Sequence, residues 1–474
     1  MLVQFSVQNY KSFRDEAKLS LVASGYDKDP LTEANLIAGD LTGPVRLLRT
    51  AAIYGANAAG KSKLVEAMHV MRLFILRSAA SAGQKIPVVP FRLNPDTEQA
   101  PSEFELVFLH EGDLFRYGFA ATADHVVAEW LFYRPDLARP KTKEIEIFYR
   151  DGQTFDAVHP RQFKIGARLI KDGMIRPDAL LLSVAAQFNE VLAQRVFGWL
   201  GRFNIISGLQ EEGYEGFTVS KVMDLGGTPS TGKGAIIGFL READLGITDV
   251  RVRAIEHESD LPGNLPADLR ERLTAALTEK DGLIFGGAKA VHRVYDSSGN
   301  RTGVLEFDME DESSGTQKYF ALSGPILETL QQGDVLVIDE LESKLHPNLV
   351  QKIVGLFHSP VTNPRHAQLI FNTHDINLMT AEGPSGAGSA TPLLRRDQIW
   401  FVKKDRYGAS SLYSLAGFKT DQVRKSDDFR VKYLQGRYGA VPYLNEYEEG
   451  VGQLVQSTQD PLGGIQSAEP VGVL

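Results

Sequence analysis

Residues 55–62, GANAAGKS, supply the glycines, the lysine and the hydroxyl group that a phosphate-binding loop uses. They fit the pattern G-x-x-x-x-G-K-[ST], in which backbone N–H groups and a helix N-terminus surround phosphate oxygens. We predict that Gly55 and Gly60 shape the loop, that Lys61 reaches the β- and γ-phosphates of a nucleotide and that Ser62 ligates Mg²⁺. The alternative is a glycine-rich turn with an incidental lysine.

Adjacent carboxylates follow an apolar run in VLVIDELESKLHP, residues 335–347. Such carboxylates repel each other and resist burial, so we expect a cation beside them. Asp339 is predicted to hold Mg²⁺ through water, and Glu340 to act as the general base that polarises the attacking water. The alternative is a helix N-cap with acids at the positive end of the helix dipole. For Glu342 the sequence indicates no more than that first-turn position.

A second stretch, GTPSTGKG at 227–234, repeats part of the loop spacing. It ends in Gly234 and therefore offers no hydroxyl group to a metal ion. The segment before it is also a poor buried strand. We predict a flexible loop there rather than a second phosphate site.

The elements that must position these groups surround both motifs. A short apolar strand precedes residues 55–62, and a long helix follows them. Residues 2–10 alternate as a half-buried strand does, and 103–155 contain antiparallel strands with glycine turns. Residues 179–200 are predicted as an apolar strand that passes into a helix. Residues 201–300 are predicted as Gly-rich turns with helical pieces, one of them at 266–280.

The C-terminal half repeats the alternation of strand and helix. Residues 303–333 are predicted as strand, loop and helix, and 367–375 as a buried strand that ends in polar residues. Another strand begins at 398. The small residues of 380–392 predict a loop, and the polar tail after about 456 is expected to fray.

These motifs together resemble the ABC-class ATPases, in the branch with SMC-like heads, RecF and the OLD-type defence ATPases. SSGTQ at 313–317 resembles the LSGGQ signature, SKLHP at 343–347 the D-loop, and NTHD at 372–375 the H-loop. The resemblance covers about residues 1–75 and 300–405. It implies an α/β fold, an ABC-type P-loop ATPase head with a mixed sheet, flanking helices, an antiparallel β-rich subdomain and a mostly helical insertion.

The resemblance also implies roles for further residues. His374 would sense the γ-phosphate, and Gln187 would contact Mg²⁺ and the attacking water. The remaining nucleotide contacts would be Asn57, Lys63, Ser314, Gly315 and Gln317. A structural histidine, a buried-helix glutamine and an ordinary helix cap are the respective alternatives for His374, Gln187 and SSGTQ. NYKSF at 9–13 resembles the first turn of SMC-like heads, where Lys11 would approach phosphate.

The implied cofactors are ATP and Mg²⁺, and the implied assembly is a homodimer or higher homo-oligomer. In this class the signature of one copy faces the ATP held by another, which makes an isologous sandwich. The present signature has Ser313 in place of Leu and Thr316 in place of Gly. The side chain of Thr316 hinders the close approach of the signature backbone to the ATP of the other copy, which such a sandwich needs.

Composition limits the function further. The 474 residues carry a net charge of −9 and no cysteine, which excludes disulfides and thiolate sites and argues against a generally basic nucleic-acid binder. We see neither a signal peptide nor a membrane span, so a cytoplasmic location is expected. We divide the chain into an N-terminal ATPase lobe at 1–200, an insertion at 201–300, a C-terminal ATPase lobe at 301–405 and an extension at 406–474.

Three functions remain open at this stage. VKYLQGRYGAVPYL at 431–444 resembles the closing motif of stand-alone, RloA-like prokaryotic ATPases, which control a separate effector, Toprim-like or another nuclease, in anti-phage defence. The alternative for this segment is a basic amphipathic surface with packed aromatic residues. The second function is a RecF-like ATPase that acts directly on DNA in repair. The third is a nucleotide-dependent interaction protein with negligible turnover.

Overall fold

A computed structural model describes residues 1–25, 32–39, 42–139, 141–208, 212–223, 232–255, 284–379, 393–419, 428–442 and 451. The strands in this part are β1 Leu2–Gln8, β2 Ala17–Ser20, β3 Leu36–Gly39, β4 Gly43–Leu48, β5 Thr50–Tyr54, β6 Ser102–His110, β7 Asp113–Ala121, β8 Val126–Arg134, β9 Ile145–Asp151, β10 Thr154–Val158, β11 Phe203–Ser207, β12 Ile247–Ile255, β13 Ile284–Tyr295, β14 Arg301–Asp308, β15 Val335–Asp339, β16 Gln368–Asn372, β17 Ile399–Lys404 and β18 Ser410–Ser414. The helices are α1 Thr32–Asn35, α2 Lys61–Arg77, α3 Pro95–Glu98, α4 Lys164–Lys171, α5 Leu181–Gln187, α6 Val191–Leu200, α7 Glu212–Met223, α8 Lys233–Glu242, α9 Ser314–Gln332, α10 Pro347–His358 and α11 Phe429–Leu434.

A six-stranded mixed sheet carries the chemically interesting strand ends. Its order is β11-β15-β16-β5-β17-β18, and every pair in it is parallel except β17 with β18. Apart from the half-buried Asp339, the residues of β5, β15 and β16 are buried, as expected for strands covered on both faces. Parallel strands end at the same sheet edge, so the segments after Tyr54, Asp339 and Asn372 meet there.

A seven-stranded antiparallel sheet, in the order β10-β9-β8-β7-β6-β1-β2, packs on the mixed sheet through α2 and the helices after it. Phe104, Phe119 and Phe74 stack in this shared core, with ring centroids 5.2 Å apart in each successive pair. The predicted strands at 2–10 and 103–155 are confirmed. The α/β class of a P-loop ATPase fold is also confirmed.

Residues 179–200 differ from the prediction, because the apolar run begins a helix rather than a strand. Helices α5 and α6 occupy this segment. The carboxylate of Glu129 on β8 accepts hydrogen bonds from the backbone N–H groups of Leu181 (2.7 Å) and Leu182 (3.0 Å). These bonds satisfy N–H groups that a helix start leaves without partners. A short apolar run does not contain this information, since the capping carboxylate comes from a distant strand.

The insertion at 201–300 is less helical than predicted. Its described residues form α7 and α8, but also β11, which extends the mixed sheet, and β12 and β13. The latter two pair with β14 in a separate antiparallel sheet, in the order β12-β13-β14. The predicted helix at 266–280, the loop at 380–392 and the tail after 456 lie outside the described residues. The domain boundaries stay a prediction.

The C-terminal segment contributes aromatic rings to the core. The ring of Tyr433 on α11 stacks on Phe401 of β17 at 5.4 Å, and Tyr438 packs against the same ring at 5.7 Å. The packed aromatic residues proposed as the alternative for 431–444 are therefore present. Within the described residues, no helix combines the length and the apolar composition needed to cross a bilayer.

We expect Glu129→Ala to lower the free energy of unfolding by about 3–5 kcal/mol, because it leaves the guanidinium of Arg150 buried without its charged partner. Both side chains are fully buried. Urea unfolding followed by circular dichroism measures this change. Glu146→Ala removes an exposed carboxylate from neighbouring β9 and should change stability by no more than about 0.5 kcal/mol. Equal effects of the two substitutions would contradict the assigned role.

Candidate functional site

The loop between β5 and α2 has the backbone of a phosphate cradle. Gly60 has a φ of 115° immediately before α2, and Ala58 has a φ of 58°, a left-handed conformation that is unusual for alanine. A Cβ on Gly60 would lie 2.7 Å from the Ser12 hydroxyl and 2.6 Å from the Ser410 hydroxyl. A Cβ on Gly55 would collide with the Val402 carbonyl oxygen. Because other parts of the chain pack this closely against the loop, glycine is required at both Gly55 and Gly60.

Lys61 lies at the centre of the site and is largely buried. Its Nζ donates hydrogen bonds to the carbonyl of Gly55 (2.9 Å) and to Nε2 of His374 (2.9 Å). Burial lowers the pKa of Lys61, and the carboxylates of Glu342, Glu340 and Asp339 oppose this shift. The cation expected beside the paired carboxylates is therefore Lys61.

His374 meets Lys61 as a neutral acceptor. Burial and then the Lys61 charge lower the pKa of His374, so its Nε2 carries a lone pair toward the ammonium. The backbone N–H of His374 donates to Oε1 of Glu342 at 2.6 Å. Glu342, to which the sequence indicated only a first-turn position, thus holds the histidine segment in place.

Asn372 bonds to both residues of the predicted carboxylate pair, and the sequence analysis gave it no role. Its Nδ2 donates to Oδ1 of Asp339, and its Oδ1 accepts the backbone N–H of Glu340. Glu340 has a φ of 55°, which turns the chain sharply after the strand. Asn372 ends β16, the strand beside β15, so its position at the same sheet edge was a usable signal in the sequence.

A cavity of about 660 Å³ opens above the loop. Its walls come from the phosphate loop, the carboxylate and histidine segments, the turn at 9–13 and the end of β17. The lining residues are Lys11, Ser12, Asn57, Ala58, Ala59, Gly60, Lys61, Ser62, Lys63, Glu340, His374 and Lys404. Seven predicted site residues therefore share one cavity: Asn57, Gly60, Lys61, Ser62, Lys63, Glu340 and His374. Gly55 and Asp339 do not line it. The Gly55 carbonyl accepts a hydrogen bond from the lining residue Lys61, and Asp339 immediately precedes the lining residue Glu340.

The turn at 9–13 is held rigidly against this cavity. Asn9 and Lys11 both have a φ of 49°, and the Asn9 side chain donates to the carbonyls of Thr97 and Ala100 at 2.9 Å. Lys11 forms an ion pair with Glu66 at the cavity wall. Lys11 thus lies where a phosphate contact was expected. Ser12 and Lys404 are additional lining residues that the sequence analysis did not identify.

The signature segment, residues 313–317, lies outside this cavity. Ser313 caps α9 by accepting the backbone N–H of Thr316 at 3.2 Å, so the replacement of Leu supplies a helix cap. Ser314 is exposed, and a Cβ on Gly315 would lie 2.7 Å from the Lys344 carbonyl oxygen. The side-chain amide of Gln317 donates to the Glu310 and Glu312 carbonyls. This use of Gln317 differs from the predicted nucleotide contact.

Gln187 is not brought to the cavity. It is exposed at the end of α5, and the Ser183 hydroxyl of the same helix donates to the Ile75 carbonyl. Ile75 lies near the C-terminal end of α2, roughly 20 Å along the helix axis from Lys61 at 1.5 Å per residue. The predicted Q-loop contact stays a prediction.

The second stretch with loop spacing lies partly outside the described residues, which resume at Gly232. Gly232 precedes α8, and Nζ of Lys233 pairs with Asp249 at 3.0 Å. Lys233, the lysine of this second stretch, thus forms an ion pair with a carboxylate of the insertion.

The donor set beside Lys61 fits Mg²⁺. Ser62 supplies a hydroxyl oxygen and Asp339 a carboxylate oxygen, and Mg²⁺ binds through one or two such protein oxygens together with substrate phosphates. The described residues contain no group of three or more His, Asp or Glu side chains placed to hold a metal without such phosphates. The site is thus suited to a metal that arrives with a nucleotide.

The sequence matches the family described as "AAA domain, putative AbiEii toxin, Type IV TA system" over residues 51–173 and 236–380, more than half of the chain. These segments include the phosphate loop, the signature segment, Glu340 and His374. No curated protein matches the sequence.

Solved structures show a distant similarity in fold. The SMC head domain from Thermotoga maritima is 12% identical, with 87% of this chain and 98% of that chain covered and a TM-score of 0.36. The SMC head bound to the C-winged helix domain of ScpA is 15% identical, with 89% and 99% covered and a TM-score of 0.37. The recombination mediator RecF of the RecFOR pathway is 14% identical, with 87% and 98% covered and a TM-score of 0.27.

We expect opposite effects from two substitutions in the loop. Ala58→Gly should preserve nucleotide binding and raise stability by up to about 1 kcal/mol, because it removes the left-handed strain of alanine. Gly60→Ala should abolish binding, because its Cβ meets two hydroxyls. Titration with a fluorescent ATP analogue and thermal unfolding measure both. Loss of binding in Ala58→Gly would contradict this account of the loop.

Proposed function

Since the chain belongs to the AAA-domain family matched above, we propose that it binds ATP with Mg²⁺ and hydrolyses the terminal phosphate. One observation carries this proposal. Lys61, Glu340 and His374, from three neighbouring strand ends, line one cavity beside the glycine loop. A cation, a base and a phosphate-sensing group are the parts that phosphoryl transfer to water requires.

Each residue has a defined task in this proposal. Lys61 exchanges its bonds to backbone carbonyls for bonds to the β- and γ-phosphates, which compensate its buried charge far better. Ser62 and Asp339 hold the Mg²⁺ ion, which neutralises phosphate charge. Glu340 accepts a proton from the attacking water, and its sharp backbone turn aims it into the cavity. Once Lys61 turns to the phosphates, Nε2 of His374 takes up a proton from water and donates a hydrogen bond to the γ-phosphate.

We further propose that two copies form a sandwich around the nucleotides. Ser314 and Gly315 stand at the N-terminus of the long helix α9, where N–H groups attract anions. They lie outside the cavity of their own chain, and Ser314 is exposed. This arrangement favours a role toward the ATP of a second copy, as the resemblance to ABC-class ATPases implies.

The assembly would sense a signal and control a separate effector, a nuclease, in prokaryotic anti-phage defence. The family description, with its toxin and type IV TA system, fits a protein that works with a second component. The alternative is a RecF-like ATPase that acts on DNA itself. Salt-sensitive, ATP-dependent DNA binding by the purified chain without a partner distinguishes this alternative.

We expect Glu340→Gln to bind ATP and to slow its hydrolysis at least about 100-fold, because general-base catalysis contributes on that order. The trapped ATP should hold the chain as a dimer, which mass photometry with and without ATP detects. Lys61→Ala is the matched control and should neither bind ATP tightly nor dimerise. An unchanged hydrolysis rate in Glu340→Gln would show that another group is the base.

We expect the tagged chain to copurify with the product of a neighbouring gene, and Glu340→Gln to retain more of it in ATP than in ADP. Nuclease assays on the copurified material then test the effector. The tagged chain can also be purified from its native host in the presence of ATP or of ADP. If no partner copurifies with either nucleotide, the effector role is contradicted, while the proposed ATPase activity is unaffected.

A further inference from the structure

The insertion packs directly on the signature helix. The Thr218 hydroxyl of α7 donates to the Ala321 carbonyl at 2.6 Å and accepts the Gly324 N–H at 3.2 Å. The rings of Phe239 on α8 and Tyr319 on α9 stack with centroids 4.7 Å apart. Helix α9 therefore moves together with α7 and α8, and its position depends on the insertion.

A polar contact joins the small antiparallel sheet to the start of that helix. Nε2 of His292, on β13, lies 2.8 Å from Oε1 of Glu312. Glu312 immediately precedes Ser313, the residue that caps α9. Both side chains are mostly buried, at 23% and 14% exposure. The imidazole is itself held by the Phe307 ring of β14, edge to face at 5.5 Å.

Among the described residues, the connection between β14 and α9 is also held by one buried side chain and by the amide of Gln317. Met309 is buried, and Gln317 donates its amide to the carbonyls of Glu310 and Glu312. These contacts set the path of the segment, and His292 fixes the side chain of its last residue before the cap. The insertion thus orients the exposed N-terminal end of α9 at Ser314 and Gly315, which we call the signature tip.

We propose that His292 is a positioning residue which, through Glu312, holds the signature tip in the orientation needed to contact the ATP of a second copy. This inference rests on the proposed nucleotide sandwich. It assigns a function to the insertion: events on the sheet of β12, β13 and β14 set whether the neighbouring copy can hydrolyse its ATP. His292 does not line the nucleotide cavity of its own chain, so it acts through Glu312.

A competing explanation acts within one chain. Lys318, one turn into α9, donates to the Glu340 carbonyl at 3.0 Å, so on this route a disturbed helix start is transmitted to the proposed general base of the same subunit. The two routes differ in which subunit loses activity. Mixed dimers separate them, because each composite site combines the loop of one copy with the signature tip of the other.

The experiment compares His292→Ala and Glu312→Gln with the wild type, and uses Glu310→Gln as a control that removes an exposed carboxylate two residues away. We expect both test variants to lower ATP turnover roughly tenfold, within the usual range of coupling between sites. Their affinity for an ATP analogue, measured below the dimerisation concentration, should stay within about twofold of the wild type. Glu310→Gln should retain both properties.

The decisive measurement mixes His292→Ala with Lys61→Ala, which has a defective loop but an intact tip. Lys61→Ala does not dimerise with itself, so it is added in excess, and each mixed dimer then holds one ATP between the intact loop of the His292→Ala copy and the intact tip of the Lys61→Ala copy. Turnover per His292→Ala copy should therefore rise from about a tenth of the wild-type value toward that value. Ser314→Arg mixed with Lys61→Ala is the reference, because it blocks the tip itself.

Recovery in both mixtures supports the inference. Recovery with Ser314→Arg but not with His292→Ala overturns it, since the defect then lies in the subunit's own site. Unchanged turnover in His292→Ala, or a parallel loss of nucleotide affinity, also overturns it. Failure of both mixtures to recover would remove the nucleotide sandwich, and with it this inference, while the ATP binding of the Ser314→Arg variant would still report on the loop.

Discussion

The burial of one ammonium group organises this molecule. Lys61 begins a helix that lies between two sheets, and burial alone would drive its side chain toward the neutral form. Backbone carbonyls, a neutral histidine and carboxylates from the neighbouring strand ends compensate the charge. These groups lie close to Lys61 because they all follow parallel strands of the same mixed sheet. The sheet order is therefore the physical basis of the site.

Much of this site was predictable, because its parts are local. The glycine loop, the carboxylates of Asp339 and Glu340, and His374 each follow a recognisable apolar strand, and parallel strands place such ends together. Lys11 was found through a short resemblance. The sequence also indicated the antiparallel strands of the second sheet, where alternation is strong.

Other features depend on distant partners and were missed or wrong. The segment at 179–200 has the composition of a buried strand, but a carboxylate from β8 starts a helix there. Asn372 bridges Asp339 and Glu340 because β16 is the neighbour of β15. The place of Asn372 at the end of an apolar strand was visible in the sequence, but the order of the strands in the sheet was not. The strands of the insertion were predicted as Gly-rich turns and helical pieces, and the pairing that makes β11 part of the mixed sheet joins it to a strand about 130 residues away. Gln317 bonds to its own preceding loop, which the signature pattern does not specify.

The contacts of Gly60 have a consequence for biosynthesis. The hydroxyls of Ser12 and Ser410 meet on either side of this glycine, and Ser410 also donates to the Ala59 carbonyl, 351 positions away in the chain. The cradle therefore needs a segment that emerges from the ribosome long after the cradle itself. A nascent chain that has not yet produced β17 and β18 lacks one wall of the loop. A nucleotide in this loop would thus be held by the finished fold rather than by a growing chain, and a chain interrupted before about residue 410 is expected to bind none.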